Sequence, residues 1–279
     1  HTQTFRQITP PHGQSGIMGI IVAPDDTIWF AEQYANYIGH YIPTTKTVQT
    51  YSLPKLTVPD PSNPGKTLIL PSAPNDLALD KHGNIWFTEL NADSLGRLDP
   101  TTGHIQQYPL ATSKSIQKLN PYGIAITPDG KVWFTESSNT NVGRLDPTTG
   151  HIHLFPFQGP PTAFMEITSD THGTLWISTF ATGLIVNLNP NTVTFTSYTA
   201  PSSGNGTGGI YGIIVTPTNE IWATISTENA IAQLDAASKR FTYYPIPTKG
   251  SLPLGLVMSP NHEVWFTEAG VDKIGVLKP

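Results

Sequence analysis

Residues 120–157 read NPYGIAITPDGKVWFTESSNTNVGRLDPTTGHIHLFPF, and the rest of the chain is a set of variations on this stretch. Gly123 to Thr127 is a short apolar run. Pro128-Asp129-Gly130 follows as a turn, because proline presets φ and glycine accepts a positive one. Val132 to Glu136 (VWFTE) is rich in β-branched and aromatic residues, the composition of a strand. Asn141 to Leu145 is a third strand, Asp146 to Gly150 another turn, and His151 to Phe155 a fourth strand. Four short strands in about 40 residues is the pattern of one propeller blade.

The unit recurs along the chain. Its tryptophan returns at Trp29, Trp86, Trp133, Trp176, Trp222 and Trp265, at spacings of 57, 47, 43, 46 and 43 residues, and these are all six tryptophans of the protein. The decapeptide GRLDPTTGHI occurs twice, at 96–105 and 143–152. The sequence therefore predicts an all-β fold, a six-bladed β-propeller of four-stranded blades, with residues 1–279 as one domain. Each tryptophan is expected to pack between neighbouring blades. Burying such a ring removes about 150–250 Å² from water, about 4–6 kcal/mol as an upper bound.

The two ends of the repeat predict how the ring closes. Gln3 to Pro10 matches the outermost strand of a repeat, while the last repeat stops after its third strand, Lys273 to Leu277. The N-terminal segment is expected to supply the missing strand, which removes an open sheet edge. The excess behind the 57-residue spacing is residues 54–74, proline-rich and without a clear strand pattern before Leu68. It reads as a long loop, either a lid or a surface excursion. Ser202 to Gly209 reads as a flexible loop.

Composition narrows the partners. Charged residues make up 13% of the chain, the net charge is -5 and no basic patch stands out, which argues against nucleic acid. Without cysteine there is no thiol chemistry, and no apolar run approaches the ~18 residues of a membrane span. A chain opening on His1 reads as a processed form; with few lysines and abundant Thr, Ser, Asn and Pro, it is expected to be secreted or extracytoplasmic, and monomeric. A small-molecule or polymer ligand is expected on the axial face.

Two positions of each repeat should meet on that face. One lies eleven residues before the tryptophan, expected just ahead of the first strand: Met18, Asn75, Tyr122, Met165, Tyr211 and Leu254. The other, three residues after it, closes the second strand: Glu32, Glu89, Glu136, Thr179, Ile225 and Glu268. The residue after the first position is glycine in four blades but Asp76 and Glu166 in the other two. The carboxylates could hold a hard cation, Mg²⁺ or Ca²⁺, which takes oxygen ligands; Glu32, Asn75, Asp76, Glu89, Glu136 and Glu268 are the candidate ligands. The plainer alternative is that a glutamate repeated in several blades is a structural hydrogen-bond acceptor. Glu166 and His12, the one histidine ahead of the first innermost strand, are the candidate catalytic groups. Met18, Tyr122, Met165 and Tyr211 are the candidate substrate contacts.

The pattern PxGIxxxPDGxxWFTExxxNxIGRLDP, clearest at Pro121 to Pro147 and again at Gly255 to Leu277, resembles the virginiamycin B lyase (streptogramin B lyase) family over almost the whole chain. The resemblance implies a propeller that opens a cyclic depsipeptide by Mg²⁺-assisted elimination, with a histidine ahead of an innermost strand and metal-binding glutamates on the same face. Family enzymes have seven blades where six are counted here, and none of the six pre-strand residues is histidine. Ala73 to Trp86 (APNDLALDKHGNIW) is also similar to the segment that carries a metal-binding asparagine in gluconolactonase-type hydrolases, Asn75 being the match. Three readings stay open: a metal-assisted C–O lyase on a cyclic or polymeric ester or ether, a gluconolactonase-like metal-dependent hydrolase, and a non-catalytic ligand- or protein-binding propeller.

Overall fold

The computed structural model describes residues 8–110, 119–200 and 209–279. Within them each tryptophan repeat folds as one antiparallel meander. In blade 3 the strands are Pro121–Ile126, Val132–Glu136, Asn141–Leu145 and Ile152–Pro156, paired in that order. Blades 1, 2, 4 and 5 repeat the arrangement, and blade 6 contributes Pro253–Met258, Val264–Glu268 and Lys273–Leu277. The fold is all-β and of the six-bladed β-propeller class, with a single 3₁₀ turn at Ser226–Glu228 as the only helix among the described residues. Blades 1 and 2 lie in one compact unit, residues 1–109, and blades 3 to 6 in a second, residues 110–279. Most of the expected closing strand, residues 3–7 of Gln3 to Pro10, lies outside the described residues, as does 202–208 of the expected flexible loop.

Two expectations need correction. The 54–74 stretch is not an irregular loop. Leu56–Pro59 pairs antiparallel with Thr67–Leu70 as a hairpin of its own. Prolines hid it in the sequence because they sit at the end of one strand and in the turn, where no ladder N–H is needed. One buried side chain closes its base: Asn36 donates to the carbonyls of Leu53 and Pro54 and accepts from the N–H of Ser72. The first strand of each blade also begins earlier than its apolar run. Pro121 pairs with Glu136, and the register then slips before Ile124 meets Phe134. The same bulge recurs in all six blades. The positions expected ahead of the first strand therefore lie inside it, in the bulge.

Four tryptophans lie, as expected, in buried clusters shared with the next blade: Trp29 with Leu77, Trp133 with Ile167, Trp176 with Ile213, and Trp222 with Val264. The indole is backed by an aromatic of its own outer strand, Tyr51, Tyr108, Phe155, Tyr198 or Tyr244. Trp265 departs from this and is 36% exposed. Blade 6 has no outer-strand aromatic among the described residues to back it.

A second packing rule runs across the second and third strands. Phe30, Phe87, Phe134 and Phe266 sit opposite Gly39, Gly96, Gly143 and Gly275. A Cβ on any of these glycines would come within 2.0–2.3 Å of the opposing ring. In blades 4 and 5 the pair becomes Ile177 with Val186 and Ala223 with Ala232. The glycine is thus the space the phenyl ring occupies. Gly143→Val should destabilise the fold by about 1–3 kcal/mol through overpacking. Adding Phe134→Ile, which reproduces the pairing of blade 4, should return part of that loss. Urea denaturation of the two single variants and the double gives the coupling; strictly additive effects would contradict the pairing rule.

Candidate functional site

The bulges build the face on which ligand groups were expected. Two residues of the first strand oppose a widened gap in the second, so their side chains are re-aimed out of the ladder. These are Met18–Gly19, Asn75–Asp76, Tyr122–Gly123, Met165–Glu166, Tyr211–Gly212 and Leu254–Gly255. A bulge leaves backbone groups without ladder partners, and a hydroxyl two residues after the tryptophan takes them up. The N–H groups of Asp76, Gly123, Glu166, Gly212 and Gly255 donate to Thr88, Thr135, Ser178, Thr224 and Thr267 at 2.9–3.1 Å. Within the second unit the same hydroxyl donates onward to the bulge of the next blade. Thr135 reaches the carbonyl of Met165 (2.6 Å), Ser178 that of Tyr211 (2.5 Å) and Thr224 that of Leu254 (2.7 Å). The sequence carries this signal as a Thr or Ser in five of six repeats, with Ala31 in the first; the reading by carboxylates and histidines passed over it.

In the second unit the bulges of blades 3 and 5 bring Tyr122 and Tyr211 together. Their hydroxyls are hydrogen-bonded and their rings meet edge-to-face, centroids 6.4 Å apart. Met165 and Glu166, from blade 4 between them, are half-buried. The glycine of the bulge is needed where the next blade comes close: a Cβ at Gly123 would lie 2.6 Å from the carbonyl oxygen of Met165. Glu166 takes that place in blade 4.

In the first unit the sequence candidates His12 and Glu32 are in contact. His12 Nδ1 lies 3.2 Å from Glu32 Oε2, and the imidazole stacks on Tyr37 at 3.7 Å and 14°. The entry loop is held there because the N–H groups of Tyr34 and Ala35 donate to the carbonyl of Ser15. Glu32 is fully buried, and burial pushes its carboxyl above the usual glutamate range, with the bond and charge of His12 pulling the other way. Asn75, also buried, accepts from Gln33 Nε2 at 3.0 Å. Asp76 accepts from the N–H of Leu77 at 2.8 Å. Met18 is 39% exposed.

The remaining glutamates turn into their own blades. Glu89 accepts from Ser94 (2.6 Å) and Gln107 (2.7 Å), and Glu136 from Asn139 (3.2 Å) and Asn141 (3.0 Å). Glu268 is buried at the end of its strand. Among the described residues no three His, Cys, Asp or Glu side chains stand together in reach of one metal ion. In blade 4 the place is Thr179, whose hydroxyl bonds the N–H and carbonyl of Leu184. In blades 2, 3 and 4 the position serves as a polar acceptor at the turn into the third strand, while in blade 5 it is the apolar Ile225.

The model of the virginiamycin B lyase family matches residues 1–203 and again 115–279, so the two matches together span the chain. No curated protein matches. Virginiamycin B lyase from Staphylococcus aureus superposes with a TM-score of 0.80 at 25% identity, over 95% of this chain and 82% of that one. A catalytically inactive histidine-to-alanine variant of that enzyme, with quinupristin, gives 0.81 at 26% identity, over 98% and 84%. The extracellular domain of a hybrid two-component system from B. thetaiotaomicron shares the fold at 19% identity, TM-score 0.70, over 99% of this chain and 34% of that one.

Burial of Glu32 fixes the sign of a pH effect. Folding favours its protonated form, so the stability it adds at low pH is lost as pH rises through its raised folded pKa. Glu32→Gln cannot ionise and should flatten the fall in stability above the ordinary glutamate range. Parallel stability curves for wild type and variant between about pH 4 and 7 would contradict this.

Proposed function

The chain belongs to the virginiamycin B lyase family, and from that premise we propose that it is a C–O lyase that opens a cyclic or polymeric ester by elimination, with His12 as the general base. The observation that carries this reading is the His12–Glu32 pair stacked on Tyr37. A carboxylate on Nδ1 selects the tautomer whose proton sits there, which leaves the Nε2 lone pair for a substrate proton. Tyr37 fixes the plane of the ring, and buried Glu32 stabilises the imidazolium that forms.

In the reaction His12 takes a proton from the carbon next to a carbonyl. The C–H electrons form a C=C bond, and the neighbouring C–O bond breaks to release a carboxylate. No water is consumed. Mg²⁺, implied by the family resemblance, would stabilise charge on the carbonyl oxygen. Among the described residues no three His, Cys, Asp or Glu side chains stand in reach of one ion, and Glu89 and Glu136 each accept bonds from their own blade on one carboxylate oxygen. No step is therefore routed through a metal. Tyr122 and Tyr211 offer an aromatic contact surface in the second unit, and Met165 and Glu166 border it by their place in blade 4.

No helix of the described residues is long and apolar enough to cross a membrane. With an extracellular domain among the similar folds, an exported protein acting on a ligand outside the cytoplasm is the setting we infer.

His12→Ala should lower turnover of a cyclic depsipeptide by about 10²–10⁴, and Glu32→Gln by less. Turnover in ¹⁸O-water separates the reactions. An unlabelled product with a new C=C bond supports elimination. Label in the product means hydrolysis, and the gluconolactonase-like reading replaces this one. Binding without turnover across cyclic depsipeptides, lactones and uronate polymers would leave a binding propeller.

A further inference from the structure

Blade 3 carries a second polar pocket, on the side where its second strand begins and its third strand ends, opposite the bulge. The cavity is about 430 Å³ and is lined by Lys131, Arg144, Asp146, Thr149, His151 and His153. None of these residues has a part in the proposed elimination.

The cationic groups are presented rather than consumed. The guanidinium of Arg144 lies over the rings of Trp133 and Phe155, 5.4 and 5.3 Å from their centroids. A guanidinium is a planar fork of N–H donors that suits a bidentate oxyanion, and these two rings hold this one at the pocket wall. Lys131 pairs with Asp146 Oδ2. An ammonium has three donors, so two remain. That pair holds Asp146 well below the usual aspartate range, and the N–H of Thr148 bonds its other oxygen at 2.9 Å. His153 is fixed edge-to-face on Phe155, centroids 4.5 Å apart.

The chain contains its own control. The repeated decapeptide gives blade 2 the same frame, with Arg97, Asp99, Thr102 and His104 at the matching places. Lys131 and His153 are there replaced by Asn84 and Gln106, and Asn84 is bonded to Asp80 at 2.8 Å. Two neutral residues have given way to a lysine and a histidine in one pocket, on an otherwise copied scaffold. We propose that this pocket binds a small oxyanion, a phosphate or sulfate group, on Arg144 and Lys131, with the imidazoles of His151 and His153 as further contacts.

The test uses the full chain and inorganic phosphate and sulfate, titrated by calorimetry and by NMR against chloride at equal ionic strength. Saturable binding is expected, with the imidazole resonances of His151 and His153 shifting along the titration. The variant Lys131→Asn with His153→Gln copies the lining of blade 2. It should weaken binding roughly tenfold or more, since hydrogen bonds to charged groups are lost. The reciprocal change in blade 2, Asn84→Lys with Gln106→His, should add a second binding equivalent. The proposal is overturned if neither ion binds more than chloride does, if the shifts fall on histidines elsewhere, or if the blade 3 variant binds as wild type does.

Discussion

In five of the six blades one hydroxyl carries the first-strand bulge. A bulge points two side chains out of the sheet but strands a backbone N–H, and leaving a buried donor or acceptor unpaired costs about 1–3 kcal/mol. Thr135, Ser178 and Thr224 meet this by accepting from their own bulge and donating to the next. The direction of Tyr122 and Tyr211, and so their contact, depends on that relay. It also couples neighbouring blades through polar atoms at the axis end of the sheets, where the tryptophans couple them through apolar area. Blade 1 has Ala31 at this place and therefore cannot pass the bond on in the same way.

The frame was legible because periodicity reports it directly. Trp133, a short turn before it and an apolar second strand around it recur through the repeats, and packing obeys the same spacing. The bulge was not legible. It adds residues without breaking the pattern, so Tyr122 looked like the residue before a strand when it is inside one. The hairpin at Leu56–Leu70 was hidden by its prolines. The glutamates were ambiguous for a chemical reason: a carboxylate suits a cation and suits a ring of side-chain donors equally well, and only geometry tells that Glu89 faces Ser94 and Gln107. His12 and Glu32 were both singled out, yet their contact could not be read, since it depends on a loop path set by Ser15 and Tyr34.

Family membership rests on the same recurring frame. The turns, tryptophans and third-strand glycines that recur along the matched residues are features of blade construction. The bulge residues, by contrast, differ from blade to blade within this one chain. A propeller can thus keep its fold while moving its reactive groups. His12 stands on an entry loop, apart from the bulge positions.

The phenylalanine–glycine contact has a consequence for assembly. Blades 1, 2, 3 and 6 share one steric code between second and third strands, a ring facing a bare Cα. At this contact their strands are matched alike, so a third strand of one would meet no clash there against the second strand of another. Blades 4 and 5 use different codes, Ile with Val and Ala with Ala. A stray VWFTE strand offered to the third strand of blade 4 would meet Val186 and be rejected. Two dissimilar blades placed among near-copies act as markers along the chain, limiting how far a repeat can exchange strands with its kin before the order of the ring is lost.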